Sequence, residues 1–428
     1  MKRKEDGISL LIDNTAIHRI GHVLDQKPGA ILRPVDGLVL FHFAEHIMFS
    51  SKVVISNFES LSTFDTTSQI IASLENSGFT TFNEDRPMLF IESFTEESYD
   101  DACTKAAWRV LDELSTFDAK TLKNLGKAAD DTTRPRNIPP APLDDWLTIK
   151  PSPDHFLSLI NELRAKRAEG SFALMLLRCS PLRERLNSLL IKDRKDRSLQ
   201  TAALNALMRV HVNEELAKKK DAVYSPAPQR ARVVSGANDL FRHQLELFIQ
   251  SLVKERYNAP ASQALRSMMA IDRLPLPLFA FHELQGVNTK TPYAFLEAAR
   301  IARDKPEVAY IRSWLTQWER IYSSENPAER SKALAELNNR KRELSDYLSD
   351  QSVNLFSSLH LGGTIEVDPM KGNTKWVPPL PNLEQIGNEL MRRYDKKRIY
   401  LAALTNDLIA DKSLGARILE QVGHGVAN

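Results

Sequence analysis

Short apolar runs and one long apolar segment dominate the first hundred residues. Apolar residues fill most of Ile8–Ile12, and the run stops at Asp13. Two similar runs, Lys52–Ser56 and Met88–Phe94, also have the length of strands. Between the first two lies Val35–Met48, whose apolar residues fall on nearly every side of a helix, which is typical of a buried helix. Strands that alternate with helices predict a parallel sheet with helices packed on it.

Helical spacing of apolar residues also occurs outside these runs. One helix is predicted at Thr66–Ser77, where Gly78 closes it, and another at Ser98–Leu114. From about residue 150 to 350 the pattern is almost wholly helical, and prolines separate the predicted helices. These helices are Pro153–Glu169, Pro181–Ile191, Ser198–Lys219, Asn238–Tyr257, Tyr293–Arg303, Glu307–Tyr322 and Pro327–Leu348.

The last forty residues combine helical and extended patterns. A polar step at Thr405–Asp407 separates one predicted helix from a second short one at Leu408–Leu414. Gly415 follows the second helix and precedes a predicted apolar strand. This strand is expected to return to the sheet of the first domain.

Two proline-rich stretches mark the predicted domain boundaries, since proline disrupts both helices and strand ladders. One lies within 126–149 and the other at Val377–Pro381. We therefore predict an α/β domain at 1–125, a linker at 126–149, an all-α insertion at 150–375 and a segment at 376–428 that completes the first domain. The predicted fold class is α/β plus α, with a parallel sheet formed by both chain ends.

Composition narrows the classes of protein to consider. A chain of 428 residues is too long for one simple core, which favours two or more domains. The net charge is +2, so any contact with nucleic acid must be a local patch. Cys103 and Cys179 are the only cysteines, which favours a reducing cytosol over a disulfide framework. The charged N-terminus is not typical of a signal peptide, and no apolar run predicts a membrane span.

Carboxylates at the ends of buried elements indicate a metal site. Mg²⁺ and Mn²⁺ prefer oxygen ligands, and such ions activate water and stabilise the leaving oxygen in phosphodiester hydrolysis. In parallel sheets, ligands bind at the carboxyl ends of the strands. Asp13 directly follows a predicted strand, and Asp407 lies between apolar helical turns near the other end of the chain. These two carboxylates could meet at one metal site.

Three short motifs resemble those of PIN-domain ribonucleases. Leu10–Ile17 resembles their opening strand, which runs into an aspartate, a small polar turn and a helix. Val53–Leu61 is similar to their second motif, a strand followed by a helix whose first turn carries a glutamate, here Glu59. Leu404–Ala410 with Gly415–Ala416 resembles their third motif, in which Asn-Asp opens a helix that ends in Gly-Ala.

The resemblance implies a PIN-like sheet and a catalytic metal site. Asp13, Glu59 and Asp407 would be the catalytic carboxylates and would hold Mg²⁺ or Mn²⁺. The last acidic motif of the family has no clear match, and Ile418–Glu420 comes nearest. The alternative is that Asp13 and Asp407 only cap helices, while Glu59 is a solvated carboxylate in a first helical turn.

Histidines offer weaker candidates for a site. His42 and His46 lie four residues apart on one predicted helix face, a spacing that permits zinc binding. A structural role is the alternative, because the helix is mostly apolar and no third ligand is evident. Arg209 and His211 form a basic pair that lacks the Arg-x4-6-His spacing of HEPN toxins.

Lysines and arginines cluster between residues 178 and 232. Such clusters can bind phosphate backbones through counterion release. The alternative is a salt-bridged helical surface, since acidic residues are interleaved with the basic ones. The last cluster, Arg230–Arg232, follows Ser225–Pro228, which is expected to be an exposed loop.

Two functions remain open at this point. The first is a metal-dependent ribonuclease that hydrolyses RNA phosphodiester bonds, with a helical region for substrate binding, regulation or assembly, and with toxin or defence roles among its possible pathways. The second is a non-catalytic helical interaction protein with a degenerate α/β domain. RNA, a protein partner or a second copy of the chain are the expected partners, and no membrane contact is expected.

Overall fold

A parallel sheet of four strands lies at the centre of the structure. The computed structural model describes residues 8–57, 82–130, 179–233, 280–284, 290–322 and 412–426, with short gaps at 84–85, 88, 116, 191–192, 229, 232 and 281–282. Over these residues the protein has a mixed α/β fold with more helix than strand. The parallel sheet with helices packed on it confirms the coarse prediction of fold class.

Strands and helices alternate in the first part of the chain, and helices predominate afterwards. The described strands are β1 (Ile8–Ile12), β2 (Ile31–Leu32), β3 (Ser50–Asn57), β4 (Phe82–Asn83), β5 (Arg86–Pro87), β6 (Leu89–Ser93), β7 (Val223–Ser225) and β8 (Gly425–Val426). The described helices are α1 (Asn14–Asp25), α2 (Pro34–Phe49), α3 (Glu96–Ser115), α4 (Ala119–Asp130), α5 (Ser180–Leu189), α6 (Arg194–Lys219), α7 (Pro292–Arg303), α8 (Pro306–Tyr322) and α9 (Lys412–Gln421).

The strand order of the sheet has a switch point at β1, because later strands are added on both sides of this strand. The order is β6-β3-β1-β7, and every pair is parallel. β3 and β6 extend the sheet on one side of β1, whereas β7 pairs with β1 on the other side. In open α/β sheets, ligands bind outside the carboxyl ends of the strands at such a switch point. The carboxyl ends of β1 and β7 therefore flank the position at which such a fold is expected to bind a ligand, and this position is called the switch-point crevice below.

Helices cover both faces of the sheet, and β1 contributes side chains to both cores. Leu10 and Ile12 pack in a core with α1, α2, α7, α8 and α9. Leu11 packs on the opposite face with α3, α4, α5 and α6. This alternation follows from the two-residue period of a strand.

Helix α2 is apolar all round because other elements surround it. It packs against α1, α7, α8 and α9 and leads directly into β3. Its two buried carboxylates, Asp36 and Glu45, have polar partners, as buried polar groups require. Asp36 accepts from Arg19 at 2.6 Å and from the backbone of Arg33 at 3.0 Å. The prediction of a buried helix at Val35–Met48 is confirmed.

Most predicted elements in the described ranges are confirmed within a few residues at their ends. They include the three strands of the N-terminal region and the predicted helices that correspond to α3, α5, α6, α7 and α8. Other calls lie outside the described residues: the helices Thr66–Ser77, Pro153–Glu169, Asn238–Tyr257 and Pro327–Leu348, and most of the linker at 126–149. Within the described part of the chain, no helix is long and apolar enough to cross a membrane.

Strand β7 departs from the prediction that residues 150–350 are almost wholly helical. Val223–Ser225 is buried and pairs with β1, with Leu10 opposite Val223 and Ile12 opposite Ser225. The strand is too short to show a period in the sequence. It begins just after Asp221, whose φ of 49° turns the chain back from α6. The helices around it, α5 to α8, pack in the same two cores as the N-terminal helices.

The end of the chain also differs from the prediction. The strand predicted after Gly415 is wrong, because Gly415 lies inside α9. This helix packs on α2, and β8 pairs with β2 in a separate two-stranded sheet. The tail therefore contacts the N-terminal segment as expected, but its described strand does not join the four-stranded sheet.

Glycine allows α9 to approach α2 closely. A Cβ atom on Gly415 would lie 1.9 Å from the carbonyl oxygen of Pro34, and one on Gly37 would lie 2.0 Å from that of Gly415. Leu414, Ile418 and similar apolar residues of α9 are buried at this contact. Packing thus outweighs the low helix propensity of glycine at this position.

Candidate functional site at the switch point

The carboxylate of Asp13 lies at the carboxyl end of β1, beside the carboxyl end of β7. Asp13 caps α1, since its Oδ1 accepts a hydrogen bond from the backbone N–H of Thr15 at 2.8 Å. Its own N–H donates to the carbonyl oxygen of Ser225 at 3.0 Å. Asp13 is only 1% exposed. A buried carboxylate needs hydrogen-bond donors or a cation, because an isolated buried charge is strongly unfavourable.

Tyr224 and Arg230 supply these partners to Oδ2 of Asp13. Tyr224 donates its phenol O–H, and Arg230 donates from Nη1. The backbone N–H of Ala227 is also directed to Oδ2, at 3.3 Å. Nη2 of Arg230 donates to Oγ1 of Thr15 at 2.9 Å. Arg230 therefore joins the segment after β7 to the first turn of α1.

The charges of this cluster are set by burial and by mutual contact. Burial raises the pKa of Asp13, but the charge of Arg230 and the hydrogen bonds from Tyr224, Arg230 and Thr15 outweigh it, so the pKa lies below its usual value. Burial and then the charge of Asp13 hold the pKa of Tyr224 well above its usual value. At neutral pH, Asp13 is ionised, Tyr224 is neutral and Arg230 is charged.

Arg209 brings a second cation to the crevice. It lies on α6, one turn before Asn213, whose Nδ2 is 3.4 Å from the phenol oxygen of Tyr224. Arg209 is exposed to solvent. Lost hydration around its guanidinium still lowers its pKa, and so does the charge of Arg230, whereas Asp13 acts in the opposite direction. In the described part of the chain, no hydrogen bond or ion pair of Arg209 is found.

Only one of the three predicted carboxylates can be placed. Asp13 is the N-cap of α1, as the alternative interpretation expected, and it is also the buried partner of Arg230. Glu59 and Asp407 lie outside the described residues. Glu420, the nearest match to a fourth acid, is exposed on α9. Whether these groups share one site therefore stays a prediction.

The surroundings of Asp13 do not fit a divalent metal ion. Both carboxylate oxygens accept hydrogen bonds, and the guanidinium of Arg230 already neutralises the charge. A hard cation such as Mg²⁺ needs a carboxylate oxygen that is open to it. The ion pair between Asp13 and Arg230 would have to break before the carboxylate could bind a metal.

His42 and His46 have separate partners. Nδ1 of His42 is 2.7 Å from Oε2 of Glu45, and Nε2 of His46 is 2.7 Å from Oγ of Ser225. Burial, and then the charge of His42, lowers the pKa of His46 to about 3, so this ring is neutral. Among the described residues, no group of three or more His, Cys, Asp or Glu side chains could hold a metal ion. These contacts favour the structural role over zinc binding.

The described basic clusters mostly form salt bridges and caps. Arg185 donates to the carbonyl oxygens of Leu114 and Phe117 at 3.0 and 2.8 Å. Lys218 pairs with Glu215 at 2.9 Å, and Lys219 pairs with Asp101 at 2.8 Å. These contacts favour a salt-bridged helical surface. Lys195, by contrast, is exposed at the start of α6.

The expectation of an exposed loop at Ser225–Pro228 is wrong. Ser225 belongs to β7 and is buried, and Arg230 is only 8% exposed. The guanidinium of Arg230 forms an ion pair with Asp13, which lies 217 positions earlier in the chain. The sequence shows an arginine after prolines, and no local pattern in it reveals so distant a partner.

Sequence reasoning therefore found Asp13 and missed the residues around it. Tyr224, Arg230 and Asn213 reach Asp13 or its partner only through the pairing of β7 with β1. In the sequence, Arg209 is distinguished only as part of a basic pair with His211. The only local sign of these residues is a polar and basic segment directly after a short apolar run at Val223, and it does not indicate Asp13 as their partner.

No family model matches this chain, and neither a curated protein nor a solved structure matches it.

Proposed function

We propose that the protein acts on RNA phosphodiester bonds as a ribonuclease, and that its site is the crevice between the carboxyl ends of β1 and β7. One observation carries the proposal: a buried, ionised aspartate lies at the switch point of a parallel sheet. This is where ligands bind in open α/β sheets. The proposal includes a PIN-like form of the domain, in which residues 150–375 lie between its two parts and contribute β7 to its sheet.

The proposal also includes the carboxylates that lie outside the described residues. Glu59 and Asp407 are proposed to join Asp13, as the resemblance to PIN-domain ribonucleases implies. The contacts of Asp13 do not fit a metal, so no step of the reaction is assigned to Mg²⁺ or Mn²⁺. Cleavage is therefore to be measured both with Mn²⁺ and with a chelator.

A cleavage assay on labelled single-stranded RNA tests the proposal. We expect wild-type protein to cleave the RNA, and both Asp13→Asn and Asp407→Asn to lose at least about 99% of the activity, since removal of a catalytic group typically costs a factor of 10² or more. Asp25→Asn is the matched control, because Asp25 is exposed at the end of α1. Asp407→Asn is the second variant because Asp13→Asn also removes a buried ion pair.

Full activity in folded Asp407→Asn, or equal losses in Asp25→Asn, would contradict the assignment of the carboxylates. Absence of cleavage by the wild-type protein under all conditions would contradict the ribonuclease itself.

A non-catalytic protein is the second candidate. It is favoured by the hydrogen bonds that Asp13 already accepts within the protein. Both oxygens of this carboxylate are occupied by donors, and Arg230 links α1 to the chain after β7. Such a carboxylate holds two elements together without any chemistry. The two candidates differ in one measurement, because a non-catalytic protein would not cleave RNA under any of the conditions above.

A further inference from the structure

We propose that Arg209, supported by the fixed Arg230–Asp13 pair, binds a phosphate group of the ligand at the switch-point crevice. This inference rests on the proposed function for the identity of the ligand, a phosphodiester of single-stranded RNA. It assigns phosphate binding in this crevice to a guanidinium, where the sequence predicted a metal ion.

The first support is the balance of charge. Asp13 and Arg230 neutralise each other, and Tyr224 stays neutral because its pKa is raised well above its usual value. Arg209 therefore adds a positive charge that no described carboxylate of the cluster cancels. A bound anion would neutralise it, and an Arg–phosphate contact is a charge-assisted, often bidentate hydrogen bond.

The second support is position. Arg209 and Asn213 lie one turn apart on α6, and residues four apart share a helix face. Asn213 reaches the phenol of Tyr224, so this face of α6 borders the cluster around Asp13. α6 also packs against β1 and β7, the two strands that flank the crevice. Arg209 is therefore an exposed residue on the face of α6 that borders the cluster, and its charge interacts with both Arg230 and Asp13.

The third support is the rigidity of the other side of the crevice. Arg230 is held by Asp13 and Thr15, and Asp13 is held by the first turn of α1. A guanidinium has five N–H donors, so these contacts do not use all those of Arg230. A phosphate held by Arg209 would meet a preorganised neighbour and would not need to disrupt the buried pair.

Fluorescence anisotropy with a labelled single-stranded RNA oligonucleotide tests the inference. The binding is measured in a chelator, and gel electrophoresis of the RNA after each measurement checks that it is still intact. Arg209→Gln is the test variant. Lys195→Gln is the matched control, since Lys195 is an exposed cation of the same helix, about 21 Å away along its axis. We expect Arg209→Gln to weaken binding roughly tenfold or more. We also expect it to reduce the slope of log K against log salt by about 0.7, the value for one phosphate on a single strand.

Thermal unfolding in inorganic phosphate distinguishes the source of the phosphate group. If wild-type protein binds no RNA but phosphate raises its Tm, and Arg209→Gln removes this rise, the phosphate site stands and the ribonuclease proposal fails. If RNA binds through Arg209 but is never cleaved, the phosphate site likewise stands and the ribonuclease proposal fails. Unchanged RNA affinity and salt slope in folded Arg209→Gln, equal losses in Lys195→Gln, or no response to either probe would overturn the inference.

Discussion

At the scale of one residue, Asp13 is a buried carboxylate whose charge is balanced by a partner from a distant part of the chain. A carboxylate directly after an apolar strand is visible in the sequence, and the structure buries it at the end of β1. Its partners Tyr224 and Arg230 come from more than two hundred positions away. Their identity depends on the pairing of β7 with β1, which no local pattern encodes. The position of the candidate site was therefore predictable, whereas its electrostatics were not.

The depressed pKa of Asp13 predicts a pH-dependent contribution to stability. We expect Asp13→Asn to reduce the free energy of unfolding at pH 7 by about 3–5 kcal/mol, because it leaves Arg230 buried without its partner. Since the folded pKa is lower than the unfolded one, the contribution of Asp13 is fully present above about pH 4 and is lost as the pH falls through the folded pKa. Urea unfolding of both proteins from pH 7 to pH 2 measures the difference.

The exposed Asp25 supplies the control for this experiment. Asp25→Asn should follow the wild-type protein across the whole pH range, because Asp25 lies at the exposed end of α1. A gap between Asp13→Asn and wild type that stays constant down to pH 2 would contradict an ionised Asp13 as the source of the stability.

The scale of whole elements shows where local propensity fails. Long buried helices such as α2 are predictable, because a helix that is buried on all sides has apolar residues on nearly every side. The two failures, β7 and α9, have different causes. β7 has only three residues, too few for a period, whereas α9 contains a glycine that normally ends a helix. In α9, close contact with α2 decides the structure.

This contact makes a prediction for Gly415. Its Cβ position would lie 1.9 Å from the backbone of Pro34, which cannot move aside as a flexible side chain can. We expect Gly415→Ala to destabilise the protein by about 1–3 kcal/mol, the usual range for overpacking, although alanine is the better helix former. Chemical unfolding measures the change. Glu420→Ala, at an exposed position of α9, should change stability by less than about 0.5 kcal/mol.

An increase in stability on Gly415→Ala would contradict the close approach of α9 to α2. Alanine would then act only as the better helix former at an uncrowded position of α9.

At the scale of the whole molecule, the described elements depend on chain segments that are far apart in sequence. α2 packs against α1 from the first segment, α7 and α8 from the region predicted to be an insertion, and α9 from the tail. β1 pairs with β3 and with β7, which come from either side of the predicted linker. Composition and proline placement indicated more than one domain, but they carry no information about which segments share a core.

Excision of the predicted insertion tests this organisation directly. A protein that joins residues 1–149 to 376–428 through a short flexible linker lacks β7 and α5 to α8. It would expose one edge of β1, the parts of both cores that α5 to α8 cover, and the carboxylate of Asp13 without Tyr224 and Arg230. We expect no cooperative thermal transition, because too much apolar surface would remain in water. Full-length protein measured by circular dichroism in parallel is the reference. A cooperative transition in the excised protein would show instead that 150–375 is a separable helical domain, as the sequence predicts, and that the packing of β7 beside β1 is not required for the fold.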